Sequence, residues 1–371
     1  MIRKIHTLAA VLGLAIAAPV SAETHSTSAG PVEITPVVRD LETPWAVAFL
    51  PDGRFLITER DGALLLVEAD GRSRRSIAGV PEVRASGQGG LLDVALDPDF
   101  SENRRLYLSF SDPVGVLSAR TAVASARLSD HAGRLEDVRI VFRQDPDKRG
   151  GRHFGSRIVP DGKGNLFITT GDRGDDEMAQ TTTHIGKVIR IRADGAVPED
   201  NPFRGTSMPP EVWSLGHRNP QGAALDENGR LWTVSHGARG GDEINRPEAG
   251  KNYGWPVISY GRQYMGGKIG IGTEAPGMEQ PVFYWDPSIA PSGMMIYSGK
   301  LWPDWAGDIF VGSLKMDFLS RLDRDGDGIG PEERLLQDAY LRIRDVREGP
   351  NGAIWFLAEG DGALYRMTPL Q

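Results

Sequence analysis

The most regular feature of the sequence is a short apolar pattern that recurs along the chain. Each copy starts with a turn rich in Pro, Asp, Asn or Gly and continues into a short run of aromatic and β-branched residues. Such runs are typical of β-strands and are too short for helices. The copies occupy residues 51–58, 97–110, 160–170, 226–234, 304–311 and 350–357.

The spacing of these copies predicts the fold. Six copies follow one another at intervals of roughly 45 to 80 residues, and a propeller blade uses about 40 to 50 residues for its four strands. We therefore predict an all-β chain folded as a six-bladed β-propeller of four-stranded antiparallel blades, over residues 35–371. The excess chain lies in insertions at 175–210 and 256–285, which we expect on one face. A β-sandwich or two small β domains is the alternative, but no linker-like change of composition divides the chain.

The N-terminus has the pattern of a secretory signal peptide. Arg3 and Lys4 precede an apolar run at 8–18, and small residues follow before Glu23. The run is too short for a comfortable membrane span, and a buried N-terminal helix is the alternative interpretation. We expect a signal peptide over residues 1–22, a flexible lead-in over 23–34, a periplasmic protein and no membrane span after processing.

Composition narrows the classes of partner and chemistry. The net charge of −8, from 42 Lys and Arg against 50 Asp and Glu, argues against nucleic acid as the main partner. The absence of cysteine excludes disulfides, thiolate catalysis and Cys-ligated metals. Glycine and proline number 46 and 25, which is a turn-rich composition that fits short strands.

Histidine is scarce, and one copy has a plausible acidic partner. His153 precedes a predicted strand, and Asp172 follows the next one. A hairpin between them would place both at the same end of one blade. A carboxylate beside an imidazole fixes its tautomer and raises its basicity, which suits a general base. A structural role for His153 is the alternative.

Other polar turns add candidate binding groups. Arg218 and Asn219 form a compact cluster before a strand, and Glu243 follows a glycine-rich turn that exposes carbonyl oxygens suited to hard cations. Tyr253 could add another backbone oxygen. Turn chemistry alone is the alternative explanation.

Several cations could converge from separate blades. Lys315 follows a predicted strand, Arg342 and Arg344 share one strand face, and Gln88 lies in another glycine-rich turn. Together they would suit a ligand with several carboxylates or phosphates. The alternative is that these are exposed surface charges.

The sequence contains one incomplete calcium-binding motif. The segment that starts at Asp323 has the first half of an EF-hand loop, but Arg334 stands where the bidentate Glu should be. We interpret it as a hairpin turn.

Taken together, the segments resemble the soluble, pyrroloquinoline quinone (PQQ)-dependent aldose sugar dehydrogenases, which are relatives of soluble glucose dehydrogenase. The resemblance runs from about residue 35 to the C-terminus and includes the His153 segment. Its other motifs are LETPWA at 41–46, GQGGLLD at 87–93, GHRNPQG at 216–222, GGDEIN at 240–245, GKNYGWP at 250–256, SIAPSG at 288–293 and RIRDV at 342–346.

The resemblance implies a propeller that binds PQQ and Ca²⁺ at one mouth of its axis. It implies that His153 takes the proton of the sugar's anomeric hydroxyl, that Asp172 orients it, and that hydride passes from sugar C1 to quinone C5, giving a lactone. Arg218 would also stabilise developing charge. The implied cofactor contacts are Gln88, Arg218, Asn219, Lys315, Arg342 and Arg344, with Tyr264 and Trp285 as looser candidates. The implied calcium ligands are the carbonyl oxygens of Gly237 and Ala238 at the active site, and Glu243 with the Tyr253 carbonyl at a second site.

The same resemblance implies an aldose substrate, an external electron acceptor, a monomer and broad specificity. Two other functions stay open at this point. One is a metal-dependent propeller hydrolase such as a lactonase, which would need carboxylates and amides around a central metal rather than a cluster of cations. The other is a non-catalytic propeller that serves as a binding module.

Overall fold

The structure is a computed structural model that describes residues 22–370. Almost all of its regular structure is β-strand, with one helical turn α1 (Phe100–Asn103) and two 3₁₀ turns (Asp176–Gln180 and Pro303–Trp305). Among the described residues, no helix has the length and hydrophobicity needed to cross a membrane. The predicted signal peptide falls on residues 1–22 and lies almost wholly outside the described part of the chain.

The strands form six antiparallel sheets. In chain order they are β1 (Glu23–Thr27), β2 (Gly30–Val38), β3 (Pro44–Phe49), β4 (Phe55–Glu59), β5 (Leu64–Val67), β6 (Arg74–Ser76), β7 (Leu91–Leu96), β8 (Arg105–Val114), β9 (Ser118–Leu128), β10 (Leu135–Arg143), β11 (Lys148–Arg149), β12 (Ile158–Pro160) and β13 (Asn165–Thr169). They continue with β14 (Lys187–Arg192), β15 (Val212–Leu215), β16 (Pro220–Leu225), β17 (Leu231–Ser235), β18 (Asp242–Asn245), β19 (Phe283–Trp285), β20 (Pro291–Ile296), β21 (Ile309–Ser313), β22 (Leu319–Asp325), β23 (Gly328–Leu335), β24 (Ile343–Glu348), β25 (Ile354–Ala358) and β26 (Ala363–Pro369).

The sheets are the blades of a six-bladed propeller, as predicted. Blades 1 to 5 are β3–β6, β7–β10, β12–β15, β16–β19 and β20–β23, and blade 6 combines β24–β26 with β2 and β1. The short strand β11 adds to blade 2. The first strands of neighbouring blades contact one another all the way round, so β3, β7, β12, β16, β20 and β24 surround the axis.

The six repeated sequence segments are the second strands of the six blades. The aspartates in the turns before three of these strands hydrogen-bond the backbone through their side chains. The carboxylates of Asp97, Asp161 and Asp226 each accept a hydrogen bond from the backbone N–H two residues later, at 3.0, 2.7 and 2.9 Å. Such Asx turns reverse the chain just before each strand begins, which explains why the same residue types recur. The EF-hand-like segment is the tight hairpin between β22 and β23, also as predicted.

Residues 23–34 differ from the predicted flexible lead-in. Residues 23–27 form β1, and β2 supplies the outer strand that closes the ring by pairing with β26, with Val32 opposite Pro369 and Ile34 opposite Met367. Val32 and Ile34 are fully buried. The alternating apolar residues of β2 therefore belong to the core, and the propeller begins earlier than residue 35.

The first insertion divides between the two faces. The face of the propeller at which the first strand of each blade begins and the second strand ends is called the entry face. The opposite face is called the exit face. The loop between β13 and β14 lies on the entry face. The loop between β14 and β15 stays on the exit face, where Ala193 N–H donates to Gly164 O at 2.9 Å.

The second insertion, residues 246–282, crosses from one face to the other. It leaves the exit end of β18 and runs beside β15, where Tyr253 N–H donates to Leu215 O at 2.8 Å. It then reaches the entry face, where Arg262 N–H donates to Ala238 O at 2.8 Å. Neither insertion is confined to one face, so the prediction that both lie on the same face is only partly correct.

Closure of the ring through β2 gives a first testable prediction. Ile34→Ala should lower the free energy of unfolding by roughly 2–5 kcal/mol, because it opens a cavity between β2 and β26. Urea denaturation followed by tryptophan fluorescence measures this. Thr35→Ala, one residue along the same strand and only partly buried, is the matched control. An unchanged transition in Ile34→Ala would show that β2 does not close the ring.

Candidate active site

A polar cavity of about 770 Å³ opens at the axis on the entry face. It lies where turns that precede first strands meet turns that follow second strands. Four residues predicted from sequence line it, namely Gln88, Lys315, Arg342 and Arg344. Its other polar lining residues are Arg60, Gln221, His236, Asp317 and Glu359, with Trp45 among the apolar ones. Four cationic side chains face two carboxylates, which leaves an excess of two positive charges.

Arg344 is the most buried of these cations, with 7% of the residue exposed. Its Nε donates to Glu359 Oε2 at 2.8 Å, and its Nη1 donates to Gln221 Oε1 at 2.9 Å. Burial alone would raise the pKa of Glu359, but Arg344 and its neighbour Arg342 outweigh it and hold that pKa below its usual value. The carboxylate therefore stays ionised and fixes the guanidinium.

Lys315 and Arg342 are less constrained. Arg342 Nη1 donates to Leu314 O at 3.1 Å, and about half of its side chain is exposed. Among residues 22–370, no acidic side chain forms an ion pair with Lys315. These two cations are thus available to an anionic ligand in the cavity.

His153 and Asp172 are joined as the sequence predicted. His153 Nδ1 lies 2.6 Å from Asp172 Oδ1. The approach depends on Gly171, because a Cβ there would lie 2.1 Å from His153 O. His153 itself takes a left-handed backbone conformation, with φ of 49°. The backbone N–H of His153 donates to Gln88 Oε1 at 2.7 Å. Because Gln88 lines the central cavity, the His153–Asp172 pair adjoins that cavity.

Asp172 is held from several sides. Trp255 Nε1 donates to its Oδ2 at 2.9 Å, and Gly174 N–H donates to its Oδ1 at 2.7 Å. Burial opposes ionisation, but the hydrogen bond from His153 and the nearby Arg218 outweigh it and hold the pKa of Asp172 below its usual value. The ionised carboxylate accepts the Nδ1 proton of His153, which leaves Nε2 as the basic nitrogen.

Arg218 and Asn219 stand beside this pair with unused donors. Arg218 is 7% exposed, and its guanidinium lies 5.2 Å from the ring of Trp255. Asn219 is fully buried, and its Oδ1 accepts from Gly155 N–H at 3.1 Å. Within the described part of the chain, Arg218 Nε and Asn219 Nδ2 are buried without a hydrogen-bond partner. Buried donors without partners are uncommon in proteins and are consistent with a site completed by a ligand.

Among the polar lining residues that sequence reasoning missed, three occupy equivalent positions, namely Arg60, His236 and Glu359. Each directly follows the second strand of its blade, so the position itself was the available signal. Burial and the positive charge of Arg218 lower the pKa of His236 well below its usual value. Its Nε2 is buried and has no hydrogen-bond partner among residues 22–370, so a neutral His236 can hydrogen-bond a ligand.

The predicted calcium ligands are divided between two places. The carbonyls of Gly237 and Ala238 lie in the turn after β17, where Gly237 O accepts from Arg218 Nη1 at 2.7 Å and Ala238 O accepts from Arg262 N–H. Glu243 is half-buried, and among the described residues its carboxylate accepts a hydrogen bond only from Asn245 Nδ2. Burial raises the pKa of Glu243 to about 7. Tyr253 is buried, and its ring stacks on His217.

The two remaining candidates for cofactor contact, Tyr264 and Trp285, lie outside the central cavity. Tyr264 is 67% exposed near the tip of the second insertion and does not line the cavity. Trp285 is buried in a hydrophobic cluster, and its Nε1 donates to Glu332 Oε1 at 2.8 Å. The structure therefore assigns Trp285 to the core rather than to the cavity.

A buried charge cluster lies on the axial strands. Arg157 Nη1 lies 2.9 Å from Asp93 Oδ1 and 3.2 Å from Asp345 Oδ1, and all three side chains are at most 1% exposed. Arg347 pairs with the same two carboxylates at 2.9 and 3.0 Å. Arg157 Nε also donates to the carbonyl of Gln221, whose side chain lines the cavity. The cluster thus links blades 2, 3, 4 and 6 around the axis.

Comparison with known proteins identifies the family. The family model described as glucose/sorbosone dehydrogenase matches residues 41–366. The chain belongs to this family. Aldose sugar dehydrogenase YliI of Escherichia coli strain K12 is 45% identical over 336 residues, which cover 89% of this chain and 91% of the relative.

Solved structures of glucose and aldose sugar dehydrogenases agree with the fold. The soluble aldose sugar dehydrogenase from Escherichia coli in its apo form matches with a TM-score of 0.88 at 43% identity, covering 91% of this chain and all of the other. The PQQ-bound form of aldose sugar dehydrogenase from Streptomyces coelicolor matches with a TM-score of 0.77 at 27% identity, covering 95% and 99%.

The axial charge cluster gives a second testable prediction for this glucose/sorbosone dehydrogenase family member. Arg157→Met should lower the free energy of unfolding by roughly 3–5 kcal/mol, because it leaves two buried carboxylates to share Arg347. Urea denaturation measures the change. Arg127→Met removes an exposed arginine from its ion pairs and should leave the midpoint unchanged. Equal midpoints for the two variants would contradict the assigned role of Arg157.

Proposed function

We propose that the protein is a PQQ-dependent aldose sugar dehydrogenase that oxidises sugars at C1. The observation that carries this proposal is the His153–Asp172 pair next to a cavity with excess cationic charge. The names of the Escherichia coli and Streptomyces coelicolor relatives support the substrate class and the cofactor.

The residues of the cavity fit PQQ, whose three carboxylates need several cations. Lys315, Arg342 and Arg344 would hold those carboxylates. The partnerless donors of Arg218 and Asn219, together with Gln88, would hold the quinone oxygens. The chemistry that PQQ supplies when bound is acceptance of the hydride from sugar C1, which converts the aldose to its lactone.

His153 performs the proton transfer in this proposal. Its Nδ1 is committed to Asp172, so Nε2 accepts the proton of the anomeric hydroxyl as the C1 hydride leaves. Among the described residues, no protein atom hydrogen-bonds Nε2, and the side chain is 12% exposed. Asp172 stabilises the resulting imidazolium. Arg218 would stabilise negative charge that develops on the cofactor.

Calcium fits the donor set of the same region. Backbone oxygens are ligands that this hard cation prefers, and the carbonyl oxygens of Gly237 and Ala238 each retain a lone pair beside their present hydrogen bond. Arg218 lies against the Gly237 oxygen, so an anionic cofactor would be needed to offset the two cations. Glu243 forms no ion pair among the described residues, which suits a second site with the Tyr253 carbonyl.

The structure favours this function over the hydrolase alternative. Among residues 22–370, no group of three or more His, Cys, Asp or Glu side chains is placed to hold a metal ion. A hydrolase with a side-chain metal site would need such a group.

We also propose a periplasmic, monomeric enzyme that passes its electrons to an external acceptor.

The assigned base gives a third prediction. In protein reconstituted with PQQ and Ca²⁺, His153→Ala should lower kcat for glucose with a dye acceptor by about 10²- to 10⁴-fold. Quinone absorbance after gel filtration should show that the cofactor is still bound. His131→Ala, at an exposed histidine, is the matched control and should keep full activity. Wild-type turnover in His153→Ala would contradict the proposal.

The cationic side chains that line the central cavity give a fourth prediction. Lys315→Ala and Arg342→Ala should each weaken PQQ binding by about 10- to 100-fold, because each removes a charge-assisted hydrogen bond. Equilibrium titration of quinone absorbance measures the dissociation constants. Lys163→Ala, in an exposed turn on the exit face, should bind as tightly as the unmodified protein. If all three variants bind alike, the cofactor carboxylates lie elsewhere.

A further inference from the structure

The second insertion builds a cavity of its own on the entry face. Its volume is about 530 Å³, and no residue assigned above to cofactor or catalysis lines it. Side chains of Tyr260, Arg262, Lys268, Thr273 and Asp286 form much of the wall. Gly267 and Gly272 also line it, and a Cβ at either would meet no atom within 4 Å. Part of the cavity is therefore bounded by backbone that carries no side chain.

This insertion cavity shares its walls with the central cavity. The turn after β17 contributes His236 to the central cavity, while its neighbour Ala238 accepts from the backbone of Arg262 in the insertion cavity. The segment before β20 likewise contributes Ala290 to the first and Asp286 to the second. One turn and one short segment thus separate the two cavities.

The insertion is also tied to the catalytic pair. Trp255, which donates to Asp172, packs in a small hydrophobic cluster with Ala179, Ala238 and Ile269. Ile269 lines the insertion cavity. The insertion cavity is therefore connected to the His153–Asp172 pair through Ile269 and Trp255.

The side chains of the insertion cavity suit a sugar ring. Tyr260 is stacked on Tyr284, with ring centroids 4.0 Å apart, and its hydroxyl donates to Gln280 Oε1 at 2.8 Å. The ring is thereby held in place and can pack against the apolar C–H face of a pyranose. Arg262 Nη2 and Asp286 Oδ2 are paired at 2.5 Å and still partly exposed, at 66% and 32%. Planar polar groups of this kind bind vicinal hydroxyls.

We propose that the insertion cavity is a second carbohydrate subsite. It binds the ring that follows the reducing-end ring of an oligosaccharide, while the reducing-end C1 lies at His153. This inference rests on the proposed function. It predicts that the enzyme gains efficiency from glucose to maltose through contacts that glucose cannot reach.

The test compares substrates of different length in the enzyme loaded with PQQ and Ca²⁺. Thr273→Trp should fill the insertion cavity, and Tyr260→Ala should remove its aromatic wall. Each should lower kcat/KM for maltose and maltotriose by about threefold to tenfold, as expected for one lost stacking contact, and leave the value for glucose within about twofold. Met265→Ala, at a fully exposed residue of the same insertion, is the control and should change neither.

Two results would overturn the subsite. One is an equal loss on glucose and on maltose in both variants, which would show that the insertion only supports the active site. The other is unchanged kinetics on all three sugars in Thr273→Trp.

A binding measurement separates failure of the subsite from failure of the proposed function. Methyl maltoside has a blocked anomeric carbon and cannot be oxidised. Saturation-transfer NMR should show that it binds the loaded protein through its second ring and that Thr273→Trp abolishes this contact. If no aldose is oxidised but this contact is observed, the proposed function fails and the subsite stands. If aldoses are oxidised and the second ring shows no contact, the subsite alone fails.

Discussion

The closed ring of axial strands is the constraint on which the rest of the structure depends. Strands from different blades must meet around one axis. The ion pairs among Asp93, Arg157, Asp345 and Arg347 join the strands there, and the side chains of both aspartates are fully buried. Two cations against two anions leave the cluster neutral, which makes its burial tolerable. The ring also fixes the entry-face turns, because each turn begins or ends on a strand that the ring holds.

The site follows from this arrangement. A propeller blade offers two kinds of entry-face position, before its first strand and after its second. His153, Arg218, Asn219 and Arg342 occupy the former, while Arg60, Asp172, His236 and Glu359 occupy the latter or lie close to it. Arg60, His236, Arg342 and Glu359, which are distant in sequence, thereby line one axial cavity. The His153–Asp172 pair adjoins this cavity through Gln88. The second insertion then adds Trp255 behind Asp172, so that the least regular part of the chain supports the His153–Asp172 pair.

The repeats made most of the fold predictable from sequence, because Asx turns and apolar second strands depend on local residue types. The first boundary was not predictable in this way, since Val32 and Ile34 are recognisable as core only once β26 is placed beside them. Among the site residues, His153 with Asp172 and the cations Lys315, Arg342 and Arg344 could be found from their turns. Tyr264 could not be placed, because the insertion has no repeat to fix its path, and Trp285 could not be placed because it lies on β19, which follows directly after that insertion. His236 was overlooked because its only signal in the sequence was its position directly after a second strand, and the residue types at that position differ between blades.

The most direct test is a crystal structure of the protein with PQQ and Ca²⁺ bound. We predict that the cofactor lies in the axial cavity, with its carboxylates on Lys315, Arg342 and Arg344 and with His153 Nε2 facing the quinone ring. Density for PQQ outside this cavity, or in it with the carboxylates turned away from all three cations, would contradict the account.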